Sequence, residues 1–257
     1  MTEQNTPQQK QFKILLIGDA CEDTYTYGNV NRISPEAPVP VFEPQSEIVK
    51  DGMASNVCKN LEALGCLVKY VFTDVCRKNR LIDIRSKQQL LRIDYDEKCK
   101  ALPYDFMPQD EIATYDAIVI SDYNKGTIDN ELLYHLSKVV TIPVFIDTKK
   151  TNLEALNGFY IKINELEHSR ATSKPHPEWL IVTHGDKGAS WCGWEFPADT
   201  AGDVTDVCGA GDTFLSALVY KFLETTHMSE AIKFANKAAA ITVQHVGVYA
   251  PTLKEIQ

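Results

Sequence analysis

At 257 residues, 44% hydrophobic and 24% charged, the chain can bury one large core, or a core with a small appendage. A formal charge of -9, with "RKNR" at 77–80 as the densest basic cluster, offers no basic face for a nucleic-acid backbone but leaves a small phosphorylated ligand open.

The first eleven residues, "MTEQNTPQQKQ", are polar without an apolar h-region, and no later apolar run approaches membrane-spanning length. A cytoplasmic protein is expected, with a frayed, disordered stretch over 1–12 and neither membrane nor nucleic acid as partner. "KILLIG" (13–18) reads as the first strand. "APVPVFEPQSEIV" (37–49) carries three prolines, which confine a strand there to an edge or a strand start. "ASNVCKNLEALG" (54–65) sets Val57, Leu61 and Leu64 on one helical face and stops at Gly65, a good helix-ending residue. "VKYVFT" (68–73), "AIVIS" (117–121), "PVFID" (143–147), "FYIKI" (159–163) and "WLIVT" (179–183) are near-continuously apolar, as strands covered on both faces should be. Strands alternating with amphipathic stretches predict βα units around a mainly parallel sheet. By contrast, "NRLIDIRSKQQLLRIDYDE" (79–97) alternates Leu91, Ile93 and Tyr95 against Arg92, Asp94 and Asp96. With the proline-rich stretch, this predicts a small exposed sheet, a lid over the carboxyl ends of the parallel strands, where ligands bind in open α/β folds.

"DVCGAGDTF" (206–214) puts Gly209, Ala210 and Gly211 directly ahead of Asp212 and a long apolar-periodic helix. Small residues at a helix N-terminus leave amides uncovered and build an anion site, which an aspartate should oppose. The pattern makes sense if Asp212 takes a proton from a nucleophile while the amides hold the group being attacked; the bland alternative is a helix cap. The seven cysteines, an odd number without a C-x-x-C pair, argue against a disulfide framework or zinc knuckle and are expected reduced and mostly buried. No G-x-x-x-x-G-K-[ST] occurs, so this is not a P-loop enzyme.

"DVCGAGD" resembles the signature of the ribokinase-like (PfkB) carbohydrate kinases, and "GDACEDTYTYG" with "RISPEAPVPV" is similar to the kinase domain that phosphorylates heptose 7-phosphate. "QQLLRID", "SDYNKG", "IDTKKT", "NELE", "THGDKG" and "ANKAAA" follow in the family's order, so the resemblance spans the chain from about Lys13 onward. It implies a three-layer α/β/α ribokinase-like domain with a mainly parallel sheet and a β lid over about 24–49 and 79–97. It also implies ATP and Mg²⁺ as cofactors, and a homodimer paired through the lids.

By that resemblance Asp212 is the base, and the amides of Gly209, Ala210 and Gly211 hold the γ-phosphoryl group. Asp206 shapes the loop, beside a monovalent cation or as a plain turn residue. Cys208 replaces the family's threonine. On the sugar side, Asp19 and Asp23 follow the first strand, placed to accept hydrogen bonds from vicinal hydroxyls. Asn56 matches a sugar-contacting asparagine, or caps its helix. Gly52 matches the first of two glycines that bring backbone near the sugar; Met53 occupies the second, a departure. On the nucleotide side, Asn164 and Glu167 match Asn-x-x-Glu and organise water around Mg²⁺. Thr183 and Gly185 approach a phosphate, and Asn236 lies near adenine or has no role.

The largest departure is a deletion. "TDVCRKNR" (73–80) passes almost directly from strand to lid where the family has a turn, a helix and another strand, so part of the sugar pocket is expected to be missing. The expected function is an ATP-dependent carbohydrate kinase with a heptose 7-phosphate-like acceptor; the alternative is a degenerate, catalytically weak or inactive nucleotide- or sugar-binding relative.

Overall fold

The computed structural model describes residues 11–95, 98–199 and 202–257. Residues 1–10 of the expected frayed terminus, and Asp96 and Glu97 of the expected lid, lie outside them. Phe12, expected in the disordered stretch, is instead buried edge-on against Tyr220, ring centroids 5.7 Å apart.

In chain order, β1 (Lys13–Gly18) leads into two long strands, β2 (Ala20–Ile33) and β3 (Pro40–Met53). After these come α1 (Ala54–Ala63), β4 (Leu67–Val71), β5 (Val75–Asp83) and β6 (Gln89–Tyr95). Beyond α2 (Gln109–Ile112) lie β7 (Ala117–Asp122), α3 (Asn130–Val139), β8 (Val144–Thr148), β9 (Tyr160–Asn164), α4 (Glu165–Arg170) and β10 (Leu180–Thr183). A hairpin, β11 (Ala189–Trp191) and β12 (Trp194–Phe196), precedes α5 (Ala210–Thr225), α6 (Met228–Thr242) and α7 (Leu253–Ile256).

The main sheet runs β12-β11-β10-β9-β8-β7-β1-β4, parallel except at the hairpin. The pleat sends alternate residues to opposite faces. Ile14, Leu16 and Val119 pack with Val57, Leu218 and Ile232 from α1, α5 and α6, while Leu15, Ile17, Ile118 and Ile120 pack with Leu132 and Leu136 of α3. Each such fully buried side chain stabilises the fold by roughly 1.5–3 kcal/mol, so the three layers rest on the apolar runs visible in the sequence. α1 ends as expected: Gly65 takes φ +89°, and its N–H and that of Cys66 return to the carbonyls of Glu62 and Leu61. Among the described residues no helix is long and apolar enough to cross a membrane.

The second sheet has the order β3-β2-β5-β6. β3 lies at its edge, starting at Pro40 and carrying Pro44 opposite a bulge beside Gly28, where a residue without an N–H is tolerated. Asp23, Arg80 and Arg92 fall on one face, and Leu81 and Leu91 on the other, through the registers Asp23↔Lys78, Tyr25↔Arg80, Arg80↔Arg92 and Leu81↔Leu91. Leu91 and Tyr95 are 52% and 54% exposed, so this face is not packed onto the chain's own main domain.

One strand departs from expectation. β4, read as covered on both faces, is the bare edge of the main sheet, with Leu67 and Phe72 largely exposed. Only residues 72–74 separate it from β5, because the helix and strand expected beside it are absent from the sequence.

Candidate active site

β1, β7, β8 and β9 all end at one rim, and the first turn of α5 sits over it. Close packing sets the approach: a Cβ on Gly18 would meet Ala54 Cβ at 2.5 Å and the Ser121 carbonyl oxygen at 2.7 Å. Gly209 takes φ +80° as N-cap of α5, and a Cβ there would meet Val248 Cγ1 at 2.9 Å. The Ala210 N–H is turned toward the Val207 carbonyl at 3.3 Å. Asp206 folds the loop by accepting the N–H groups of Cys208 and Gly247 at 3.0 and 2.9 Å; the Cys208 thiol and these amides hold its carboxyl below the usual range.

Asp212 is not a cap. Gly209 holds the cap position without a side-chain bond, and Asp212, only 6% exposed, points into the rim. There Tyr123 Oη donates to one carboxylate oxygen at 3.0 Å, and Asn56 Nδ2 to the other at 3.3 Å. Burial, then repulsion by Asp147, pushes the Asp212 pKa up to about 6; Lys162, Tyr123 and Asn56 pull the other way. Asn56 sits inside α1, not at its cap, and its Oδ1 is buried without a partner. Burial and Asp212 hold the Tyr123 phenol well above its ordinary value, so it stays a donor. A buried carboxylate with a pKa near neutrality beside a helix N-terminus can accept a proton from a nucleophile next to an anion.

The sugar-side residues divide. Asp19 is fully buried, and its carboxylate accepts the N–H groups of Tyr123, Lys125 and Thr127 at 2.9, 3.1 and 3.2 Å. A carboxylate with no exposed surface and three amides on it anchors the 122–127 loop, and the expected contact with sugar hydroxyls would have to compete with those amides. Asp23 is partly open on the lid strand β2, held by Arg80 Nη1 at 2.6 Å. A Cβ on Gly52 would meet Asp23 Oδ2 at 2.5 Å, so this glycine makes room for a carboxylate. Met53 takes φ +55°, a conformation that favours glycine, with its side chain buried among Cys21, Cys76 and Cys99.

On the nucleotide side, Asn164 and Glu167 form a capping box at the start of α4, each side chain accepting the other's N–H at 2.9 Å. Glu167 also pairs with Lys149. Among the described residues no group of three acidic, cysteine or histidine side chains could hold a metal. A Mg²⁺ ion at nucleotide phosphates needs only one or two protein carboxylates and retains several waters, so Glu167 fits such a site without a protein-built cage. Thr183 ends β10 with its Oγ1 on the Ile163 carbonyl at 3.3 Å, and Gly185 at φ +61° presents bare backbone to open space. Asn236, expected near adenine or without a role, donates its Nδ2 to the Phe196 and Pro197 carbonyls at 2.9 and 3.0 Å, and the buried side chain secures the chain after β12.

Three residues of the rim had no role in the sequence analysis: Tyr123, Asp147 and Lys162. Lys162 had a signal, since a lysine inside the apolar run "YIKIN" must find a charge partner if that strand is central. Asp147 is that partner, opposite it in the β8–β9 register with Nζ to Oδ2 at 2.6 Å.

Residues 130–255 match the pfkB family carbohydrate kinases. The chain is 33% identical to the bifunctional protein HldE of a Nitratiruptor species over 95% of this chain and 64% of that protein, and 31% identical to HldE of Pasteurella multocida over 99% and 64%. It therefore spans about two-thirds of the length of these curated relatives. The first alignment runs over 300 positions against 257 residues here, so the relative carries segments that this chain lacks. Among solved structures, ribokinase of Arabidopsis thaliana complexed with ribose and ATP superposes with a TM-score of 0.74 at 16% identity, covering 96% of this chain and 98% of that one. Phosphofructokinase-2 of Escherichia coli in complex with potassium gives 0.70 at 16% identity, covering 96% and 97%. The fold is ribokinase-like.

Proposed function

We propose that this chain, whose residues 130–255 match the pfkB family carbohydrate kinases, transfers the γ-phosphoryl group of ATP to a hydroxyl of a sugar phosphate of the heptose 7-phosphate type. One observation carries the proposal: the buried Asp212 carboxylate, oriented by Tyr123 and Asn56, beside the glycine-rich first turn of α5. As the acceptor hydroxyl attacks, Asp212 takes its proton and becomes neutral. The positive end of α5, with the amides of Gly209, Ala210 and Gly211, faces the charge that builds on the phosphoryl oxygens; Ala210 N–H leaves its 3.3 Å contact with Val207 to do so. Asp23, on the second sheet, and the unpartnered Asn56 Oδ1 meet acceptor hydroxyls. Thr183 and Gly185 would meet the nucleotide phosphates, and Glu167 would hold Mg²⁺ through water, a charge that would offset that of the phosphates. Asp206 shapes the loop through the Cys208 and Gly247 amides, as a turn residue or beside a monovalent cation that it would help hold. The acceptor class follows the resemblance of "GDACEDTYTYG" and "RISPEAPVPV" to heptose 7-phosphate kinases, and the free cysteines suit a cytoplasmic protein.

ADP release measured against a panel of heptose and hexose phosphates, with and without Mg²⁺, tests this. Magnesium-dependent release with a heptose phosphate, and less with hexose phosphates, is the expected result. The bare edge at β4, the strained Met53 and the internal use of Asp19 and Asn236 favour a second reading, a nucleotide-binding relative without turnover. ATP binding by calorimetry with no ADP release from any acceptor would establish it.

The lid is expected to pair two copies. Leu91 and Tyr95 stand exposed on one face of an edge strand, and a sugar is too small and polar to cover them. A two-fold contact would bury these faces against each other and shield the open lid edge. Light scattering during size exclusion should give a dimer that Leu91→Asp with Ile93→Asp converts to a folded monomer. A wild-type monomer at micromolar concentration would rule the pairing out.

A further inference from the structure

Directly beneath the first turn of α5 lies a buried ion pair with no part in the mechanism above. Asp147 and Lys162 face each other across β8 and β9, Nζ to Oδ2 at 2.6 Å, with the lysine side chain 5% exposed. Burying such a pair is a poor source of stability, because taking both charges out of water offsets most of their attraction, and apolar side chains of similar size do as well. The surroundings point to another use. A Cβ on Gly211 would meet a single atom within 4 Å, Lys162 Nζ, at 3.0 Å. The third small residue of "GAG" is therefore small on the side where the ammonium lies. Asp212 is the next residue, with almost no exposed surface.

We propose that Lys162 is a positioning residue for the base: its ammonium, held by Asp147 beside Gly211, supplies the buried positive charge that serves the Asp212 carboxylate, which has almost no exposed surface. This role rests on the kinase function proposed above. The groups acting on Asp212 are Asp147 from β8, Lys162 from β9, Tyr123 from the loop after β7 and Asn56 from α1. Burial and Asp147 favour its neutral form, and Lys162 leads the groups that favour the charged one. Burial also works against the Lys162 ammonium itself, but Asp147, Asp212 and Glu167 outweigh it and hold its pKa above the ordinary lysine value. The lysine thus remains a fixed positive charge while Asp212 gains and loses its proton.

The test is the titration of Asp212, followed by carboxyl carbon NMR and by the acid limb of the rate profile. Lys162→Gln should raise the midpoint by about one unit, the scale of a neighbouring charge, and lower turnover about fivefold near pH 6, with recovery toward pH 8. Lys162→Arg should keep the midpoint near that of wild type. If Lys162→Gln alone does not fold, because Asp147 is left unpaired, the comparison moves to an Asp147→Asn background, where both side chains are uncharged in the double variant. There too, adding Lys162→Gln should raise the midpoint. A loss of rate equal at all pH values, with the midpoint unmoved in both backgrounds, would overturn the role and leave the kinase function standing. A shifted midpoint in a protein that releases no ADP would overturn the kinase function instead, and with it the assignment of Lys162 to a base.

Discussion

Asp212→Asn is expected to abolish nearly all turnover and to make the protein more stable at the same time. The rate should fall by about 10²–10⁴-fold, the usual contribution of a general base, with ATP affinity retained because the anion site is backbone. Stability moves the opposite way by linkage. Asp212 has a folded pKa of about 6, above the 3.8 of a free aspartate, so the folded state binds its proton more tightly than the unfolded chain does. The ionised carboxylate therefore weakens the fold above pH 6, and the penalty disappears as pH falls through 6 toward 3.8. Two units correspond to roughly 3 kcal/mol. Asparagine carries no charge and can still accept from Tyr123, so the variant should unfold at higher urea at pH 8 and match wild type near pH 4. The wild-type rate should show an acid limb near pH 6, because only the ionised form takes a proton. Equal turnover in the two proteins would remove Asp212 from the chemistry. Equal stability at pH 8 would mean that the carboxylate is better solvated than its burial implies.

That coupling was half legible in the sequence. "GAGD" ahead of a periodic helix identifies a base beside an anion site, because small residues and a carboxylate have few other joint uses there. The groups that tune the base were not, because they come from elsewhere in the chain: Tyr123 after β7, Asn56 from α1, Asp147 and Lys162 from two neighbouring strands. Nothing local states that Tyr123 and Asp212 lie 3.0 Å apart. A buried charge in an apolar run asks for a partner, but sequence cannot say which.

The fold shows the same division. Continuous apolar runs gave the parallel strands within a residue or two, since a strand covered on both faces has little freedom in composition, and the period of two gave the lid. The β11–β12 hairpin was not found: its strands are three residues each, joined through Cys192 and Gly193 at φ +50° and +77°. A Cys-Gly pair is a weaker hairpin signal than Asn-Gly or Asp-Gly. β4 was assigned correctly as a strand and wrongly as covered, because its composition fits a position that the shortened chain leaves as an edge.

Asp19 provides the second large expected effect, and it separates scaffold from substrate contact. Both aspartates after β1 fit the sequence expectation of hydroxyl acceptors equally well, but the structure gives them different neighbours. Asp19 spends its carboxylate on three amides of the 122–127 loop, the segment that carries Tyr123 to Asp212. Asp19→Asn puts an NH₂ group against those N–H groups, leaving at least one buried donor unsatisfied and removing the charge that strengthens the others, a cost of about 3 kcal/mol. Turnover should fall with it, because Tyr123 loses its support. Asp23→Asn still leaves an amide oxygen to accept from Arg80, so it should cost less stability than Asp19→Asn and chiefly raise the acceptor Michaelis constant. Urea unfolding of the ligand-free variants separates the two residues before any substrate is identified. An Asp19→Asn protein with the wild-type midpoint and a raised acceptor Michaelis constant would return Asp19 to the sugar. A large loss of midpoint in Asp19→Asn alone would show that the first carboxylate after β1 holds the loop that carries Tyr123 to Asp212, and a raised acceptor Michaelis constant in Asp23→Asn at an unchanged midpoint would place Asp23 at the acceptor.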